Sequence, residues 1–135
     1  MNKQIKIVLI LFIIYLLYYY LKPIILNYKI KQIFSSFKYG NFEIYDEFNN
    51  LYIKTINDNS KPIVKVKFNN KQYILDQIWN YGETGLGETY MYGYWSCDDI
   101  LSFLLTLQLN RNNKNIPNFN IQVFHLNLMI LIKII

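Results

Sequence analysis

The stretch GETGLGETYMYGYWSCDD, residues Gly82 to Asp99, holds four of the five glycines in the 135-residue chain and mixes them with acidic and aromatic residues. Part of it, Gly85-Leu86-Gly87, has the spacing of two glycines in a dinucleotide-binding loop. It follows a predicted helix rather than a strand, however, and the third glycine of that fingerprint is missing. No Gly-Lys-Ser or Gly-Lys-Thr sequence follows, so a phosphate-binding P-loop is excluded as well.

Three glycines and one glutamate of this stretch have simple structural explanations. Gly82 ends the preceding helix, and Gly85 and Gly87 allow the backbone to turn tightly beside a close neighbour. Glu88 then lies in the first turn of a short helix, where a carboxylate interacts favourably with the helix dipole. We therefore interpret all four residues as structural.

The same short helix is expected to carry one apolar face. Leu86 and Tyr90 share this face with Gly93 or Tyr94, because residues three or four apart are neighbours on a helix. A face of this composition meets either a packed protein surface or an acyl chain. Leu86, Tyr90 and Trp95 are therefore candidates for lipid contact, with packing in the core as the alternative.

Immediately upstream, apolar residues recur at helical spacing from Gln72 to Tyr81. Asn69-Asn70 offers an N-cap at the start of this segment, and Gly82 stands where a left-handed C-cap is favoured. The pattern predicts an amphipathic helix that packs on a sheet.

Three short segments before this helix alternate apolar and polar residues: Asn41 to Asp46, Leu51 to Ile56, and Ile63 to Phe68. Turns are expected at Glu47 to Asn50 and at Asn57 to Pro62. In the second segment, Leu51 and Ile53 are expected on the buried side. The spacing predicts a small antiparallel meander with one buried face.

Downstream of the glycine stretch, Ser96 to Asp99 reads Ser-Cys-Asp-Asp, a pattern that resembles a helix capping box. The following residues, Ile100 to Leu107, are mostly apolar and predict a helix that is apolar on nearly all sides. Such a helix must be buried or touch lipid.

An unbroken apolar run, Ile7 to Leu21, lies near the N-terminus, and apolar character resumes from Ile24 to Leu26. A helix over this stretch would rise about 30 Å, which matches the hydrocarbon core of a bilayer. A cleaved signal peptide is the alternative, but no small-residue cleavage site follows the run, and Ser35-Ser36 lies too far downstream. We therefore expect an uncleaved membrane anchor.

These patterns divide the chain into a membrane anchor at residues 1–28, a domain at residues 37–110 and an apolar tail at residues 111–135. The predicted fold class is α+β. It consists of an N-terminal transmembrane helix, followed by the small antiparallel meander with two or three packed helices.

Lysines give the chain a formal net charge of +5 and flank the apolar run on both sides, at Lys3, Lys6, Lys22, Lys29 and Lys31. Three of these follow the run and two precede it, so the positive-inside rule favours a single-pass protein with a cytoplasmic domain. The remaining lysines are scattered rather than clustered with aromatic residues on one face. A nucleic-acid partner is therefore not expected.

A single cysteine, Cys97, and a single histidine, His125, provide no ordinary zinc-binding spacing and no intramolecular disulfide. Neither a metal nor another cofactor is therefore predicted. Cys97 is interpreted as a small packing residue near a helix start.

The glycine stretch resembles one known family. Gly85-Leu86-Gly87-Glu88, then Tyr90-Met91, Gly93, Trp95, Cys97 and Asp98, is similar in order and spacing to a motif in the non-catalytic N-terminal domain of cyclopropane-fatty-acyl-phospholipid synthases. The resemblance covers roughly Phe37 to Asn110 and implies structural roles for Gly93 and Asp98. It departs from the family at Tyr92, commonly an aspartate there, and at Tyr94, where a second tryptophan is usual.

In that family a Rossmann-like domain follows, which uses S-adenosylmethionine to transfer a methylene group to a phospholipid acyl chain. No glycine follows Gly93 in this sequence. The 40 residues after Trp95 are also too few to form such a domain. The resemblance thus implies a membrane-anchored, non-catalytic domain with no catalytic residues and with membrane lipid as its partner. Two alternatives stay open: a truncated or split lipid-modifying methyltransferase completed by a separate methyltransferase chain, and an anchored interaction protein.

Overall fold

The computed structural model describes residues 1–111 of the chain. Within them the elements are, in order, α1 (Lys3–Ser35), β1 (Phe42–Tyr45), β2 (Leu51–Thr55), β3 (Val64–Phe68), α2 (Lys71–Tyr81), α3 (Glu83–Met91), β4 (Trp95–Cys97) and α4 (Ile100–Asn110). The fold is α+β with a long apolar N-terminal helix, as the sequence predicts. The predicted apolar tail, apart from Arg111, lies outside the described residues.

The strands form one mixed sheet in the order β2-β1-β3-β4. β2 pairs antiparallel with β1, but β3 returns to the other side of β1 and pairs with it in parallel, with Val64 opposite Phe42. β4 then pairs antiparallel with β3. All three predicted strands form, and the sheet differs from the predicted antiparallel meander in the pairing of β3 and in the addition of β4.

The parallel return of β3 depends on the connection after β2, which is held by the buried side chain of Asn41. This side-chain amide donates to the carbonyl oxygens of Asp58 and Lys61. Its oxygen accepts from the backbone N–H groups of Asn57, at 2.8 Å, and Asp58. The connection is therefore fixed across the start of β1, where the N–H of Val64 also donates to the Asn41 carbonyl.

A bulge changes the side chains that β2 presents to the core. The register of the β1–β2 pair shifts between Ile44 and Tyr45, so that Ile44 pairs with Ile53 while Tyr45 pairs with Leu51. Tyr52 is the extra residue, and its side chain is buried, whereas Leu51 is exposed. The expectation that Leu51 shares the buried side with Ile53 is therefore wrong.

α1 is a single 33-residue helix that serves both the predicted anchor and the domain. Its C-terminal half contributes Leu26, Ile30 and Phe34 to the hydrophobic core beside the sheet. Pro23 lies inside the helix, and the side-chain amide of Asn27 donates to the Pro23 carbonyl oxygen at 2.9 Å. No break therefore separates the predicted anchor from the domain. Leu26, predicted from the sequence to lie in the membrane-spanning stretch, instead belongs to the domain core, and the apolar run from Ile7 to Leu21 alone rises about 22 Å.

α2 begins and ends where the sequence predicts. The side chain of Asn70 caps it by accepting from the N–H of Tyr73, and Gly82 closes it with a φ of 61°. α4 begins later than the capping pattern indicates, because Ser96 lies in β4. The cap is Asp99, whose carboxylate accepts from both the N–H and the hydroxyl of Ser102.

Candidate membrane-facing surface

The glycine stretch folds as a helix rather than as a loop. Gly85 and Gly87 both lie inside α3, which corrects the expectation of a tight turn at this point. Gly85 faces α2 so closely that an added Cβ would lie 2.1 Å from the carbonyl oxygen of Gln77, whereas Gly87 has no such neighbour within 4 Å. Glu88 lies in the middle of α3, and Glu83 occupies the first turn instead.

Trp95 connects α3 to the sheet through its indole N–H. Nε1 donates to the carbonyl oxygen of Leu86 at 2.9 Å and to the hydroxyl oxygen of Thr89 at 3.2 Å. The Thr89 hydroxyl donates in turn to the carbonyl oxygens of Gly85 and Leu86. Sequence reasoning missed Thr89, because a threonine in a helix carries no signal for burial. The four residues form one satisfied, buried packing unit.

The three predicted lipid-facing residues occupy different environments. Leu86 is 7% exposed and Trp95 is 3% exposed, so both belong to the core. Tyr90 is 40% exposed, and its ring lies 4.8 Å from the ring of Trp95. Leu86 and Trp95 therefore pack in the core, which was the alternative to lipid contact, whereas Tyr90 reaches the surface.

The remaining motif residues shape turns and strand ends. Gly82 and Gly93 adopt left-handed φ angles of 61° and 80°, which favour glycine. Asp98 extends the pairing of β3 and β4: its carboxylate accepts from the N–H of Lys65 at 2.9 Å, and its own N–H donates to the Lys65 carbonyl. Cys97, next to it, is half-buried.

Within residues 1–111, α1 is the one helix long and apolar enough to cross a membrane. Its most apolar stretch of 18 residues is not buried in the domain at all. A signal sequence near an N-terminus can also be long and apolar enough to meet this criterion. α1 is therefore a candidate membrane-spanning helix. Because it continues into the core, the other parts of the domain can be located by their level along α1.

Two hydrogen bonds show how the sheet lies beside α1. The Tyr52 hydroxyl donates to the carbonyl of Asn27, and the Thr55 hydroxyl donates to the carbonyl of Phe34, each at 3.2 Å. From Tyr52 to Thr55 the strand rises about 10 Å, and from Asn27 to Phe34 the helix rises by about the same distance. β2 therefore runs alongside the C-terminal half of α1 in the same direction. The β1–β2 turn, which precedes β2, consequently points toward the exposed apolar half of the helix.

This end of the sheet carries several large apolar side chains that are exposed, and we call them the apolar rim: Phe48, Leu51, Tyr73, Met91 and Tyr92. Phe48 and Leu51 belong to the β1–β2 turn and the start of β2. Met91 and Tyr92 precede β4, whose first residue, Trp95, pairs with the last residue of β3. The ring of Tyr73 lies 4.5 Å from that of Tyr94 in the same region. Residues distant in sequence thus lie at the same end of the sheet.

The β1–β2 turn is held rigidly. The carboxylate of Asp46 accepts from the N–H groups of Phe48 and Asn50, each at 2.9 Å. The amine of Lys67 donates to the side chain of Asn49 at 2.6 Å, which joins the end of β3 to the turn. Basic groups also surround Tyr52, where the amine of Lys71 lies 4.6 Å from the ring centre.

α4 lies at the opposite end of the sheet. Its last residue, Asn110, is buried and accepts from the N–H groups of Lys38 and Tyr39, just beyond the end of α1. The outer side of α4 exposes four leucines: Leu101, Leu104, Leu105 and Leu109. Within residues 1–111 this helix is therefore not buried on all sides, in contrast to what its apolar sequence predicts. Along α1, the distance from Lys22 to Ser35 is about 20 Å. The leucines of α4 are therefore well separated from the exposed apolar half of α1.

In residues 1–111, no cluster of three or more His, Cys, Asp or Glu side chains is placed to hold a metal ion. An open depression of about 480 Å³ lies on the outer face of the sheet, beside Tyr45 and Cys97. Burial raises the pKa of the Cys97 thiol, and donation to Glu43 raises the pKa of the Tyr45 hydroxyl. Both groups therefore stay protonated near neutral pH and are poor nucleophiles.

Comparison with known proteins adds no relative. No family model matches the chain, and no curated protein or solved structure matches it either. The resemblance to cyclopropane synthases accordingly rests on the motif residues from Gly82 to Asp98.

Proposed function

We propose that the chain is a membrane-anchored, non-catalytic domain of the kind found at the N-terminus of cyclopropane-fatty-acyl-phospholipid synthases. α1 crosses the bilayer once, and the domain lies against the lipid surface, on the cytoplasmic side by the lysine distribution. One observation carries the proposal: the exposed apolar half of α1 and the core half, with Leu26 and Ile30, belong to the same unbroken helix.

The continuity of α1 favours an anchor over a cleaved signal peptide. Signal peptidase removes about the first 15 to 30 residues of a secreted chain. A cut between residues 26 and 30 would remove Leu26 from the core, and a cut after residue 30 would also remove Ile30; both side chains are fully buried. Losing a buried Leu or Ile side chain costs about 2 to 5 kcal/mol. A cut at the late end of that range would therefore remove side chains that the domain needs for its core.

Polar contacts also join the domain to α1 just after its exposed apolar half ends. The Lys22 amine lies 3.9 Å from the Asp76 carboxylate of α2, and Tyr52 donates to the Asn27 carbonyl. These contacts begin where the apolar run ends at Leu21. This arrangement supports a domain that rests next to the bilayer rather than one joined to it by a flexible linker.

A non-catalytic role is supported by the use of the motif in packing. Trp95, Leu86 and Thr89 satisfy one another in the core, and Gly85 serves the contact with α2. The chemistry of the resembled family belongs to its methyltransferase domain. Purified full-length chain is therefore expected to transfer no labelled methyl group from S-adenosylmethionine to unsaturated phospholipid vesicles, and measurable transfer would refute this part of the proposal.

The anchor is tested by expressing the full chain in bacteria and extracting the membranes with alkaline carbonate. We expect the protein to remain in the membrane pellet with the intact mass of 16.3 kDa. A variant with Leu9→Lys and Ile13→Lys should appear in the supernatant, because lysine at the centre of a span costs about 3 kcal/mol per residue. A shortened product or extraction of the unaltered chain would reject the uncleaved anchor.

A further inference from the structure

We infer that the apolar rim is a second membrane contact, which lies in the interface of the same bilayer that α1 crosses and fixes the orientation of the domain. The inference rests on the proposed function, because it takes α1 as the span. The inference specifies which end of the sheet faces the lipid and which side chains enter the bilayer interface. Phe48, in the β1–β2 turn, is the first of these side chains.

The position of Phe48 follows from distances along α1 and β2. Tyr52 is hydrogen-bonded at the level of Asn27. From Asn27 back to Lys22 the helix rises about 8 Å. From Tyr52 back to Asn50 the strand covers about 7 Å in the same direction. The turn therefore reaches the level of Lys22, which follows the last residue of the apolar run.

The second part of the rim lies at the same end of the sheet. β4 begins at Trp95, which pairs with Phe68 at the end of β3, and the N–H of Asn69 donates to the Tyr94 carbonyl at 2.8 Å. Met91 and Tyr92 lie just before this pairing, at the end of α3. Their loop consequently projects from the sheet in the same direction as the β1–β2 turn.

The exposed side chains have the chemistry of an interface. Phe48 is 75% exposed, Met91 is 82% exposed and Tyr92 is 78% exposed, although all three are large and apolar. Single exposed apolar residues are common on soluble proteins, but a group of them at one edge indicates a contact surface. A phenol ring with its hydroxyl suits the headgroup level, where tyrosine is enriched.

Both acidic and basic groups surround the rim: Asp46 and Glu47 precede Phe48 in the turn, and two lysines lie beside them. Lys67 fastens the turn to β3, and Lys71 lies beside Tyr52 at the same end of the sheet. Amines close to a bilayer surface are attracted to anionic headgroups. The Asp46 carboxylate fixes the backbone of the turn, so Phe48 is presented without further ordering of the chain on binding.

The test uses tryptophan fluorescence in the full chain, reconstituted into vesicles with lipids brominated at defined positions of the acyl chains. The Phe48→Trp variant reports on the rim. Phe12→Trp, in the exposed half of α1, reports on the anchor, and Leu101→Trp, on the outer side of α4, is the matched control at the far end. Trp79 and Trp95 are buried, so the unaltered chain supplies the background emission.

We expect the Phe48→Trp variant to lose emission with bromines near the headgroups, the Phe12→Trp variant to lose it with deep bromines, and the Leu101→Trp variant to lose none. Quenching of Phe12→Trp without quenching of Phe48→Trp would overturn the inference and leave the proposed anchor intact. Equal shallow quenching of Phe48→Trp and Leu101→Trp would overturn the inferred orientation. Quenching of none of the three variants would refute the proposed function itself.

Discussion

Gly85 in α3 lies against Gln77 in α2 so closely that a Cβ at Gly85 would be 2.1 Å from the Gln77 carbonyl oxygen. Real Cβ atoms do not approach a backbone oxygen to this distance, and a backbone carbonyl inside a helix has little freedom to move. The glycine therefore sets how closely the two helices pack. The close packing of α3 on α2 therefore explains why a glycine stands at position 85 of this stretch.

Substitution of the two glycines of α3 should have opposite effects. Gly85→Ala should lower the free energy of unfolding by about 1 to 3 kcal/mol, the usual cost of overpacking. Gly87→Ala is the matched control, because it has open space around it, and it should raise stability by up to about 1 kcal/mol. Thermal unfolding of the two variants in the same detergent compares them directly. Equal effects would contradict the packing role of Gly85.

The indole of Trp95 should be needed for its hydrogen bonds as well as for its ring. Trp95→Phe keeps an aromatic ring but removes the buried indole N–H that donates to the Leu86 carbonyl and the Thr89 hydroxyl. We expect a loss of about 1 to 3 kcal/mol. Tyr90→Phe removes a hydroxyl at a position with 40% exposure and should change stability by less than about 0.5 kcal/mol. Denaturant unfolding followed by circular dichroism measures both.

Asn41 should determine whether β3 docks in parallel beside β1. Asn41→Ala removes the hydrogen bonds to Asn57, Asp58 and Lys61 from a buried site. We expect a loss of about 1 to 3 kcal/mol, since the buried Asn41 side chain is what pairs these backbone groups. Asn59→Ala, in the same connection but exposed, is the matched control and should be nearly neutral. Similar stability of both variants would show that the connection is held in another way.

Cys97 should react slowly with alkylating reagents. Burial raises the pKa of its thiol, and the nearby charges of Asp98 and Asp99 raise it further. A raised pKa means less thiolate at any given pH, so the rate of reaction with iodoacetamide should reach its midpoint at a higher pH than that of free cysteine. Asp98→Asn should lower that midpoint. A midpoint at or below that of free cysteine would contradict the assigned environment.

Local patterns in the sequence predict much of this fold. The apolar run predicts α1, alternation predicts the first three strands, and Asn70 with Gly82 delimits α2. The parallel pairing of β3 could not be read in the same way, because it depends on long-range bonds from Asn41 to the connection after β2. The strand β4 was missed, since three residues are too short for an alternation pattern and Ser96 resembled a helix cap.

The glycine-rich stretch from Gly82 to Asp99 is evident in the sequence, but its geometry is not. The local conformational preference of Gly85 and Gly87 favours a turn. In the structure both glycines lie in α3, where Gly85 packs against α2. The apolar rim could not be predicted, because Phe48 and Tyr92 are distant in the chain and come to the same end of the sheet only after the sheet has formed. The bulge that exposes Leu51 is likewise a property of strand pairing.

The central claim is that one helix is lipid-exposed in its first half and buried in protein in its second. A nitroxide scan of α1 tests it, with single cysteines from Val8 to Phe34 in a Cys97→Ser background, reconstituted in bilayers. We predict accessibility to oxygen but not to a water-soluble nickel reagent on all sides from Val8 to Leu21. Beyond Ile24, accessibility should fall with helical periodicity at Leu26, Ile30 and Phe34. Nickel accessibility throughout the first half, or no periodicity in the second, would contradict the claim.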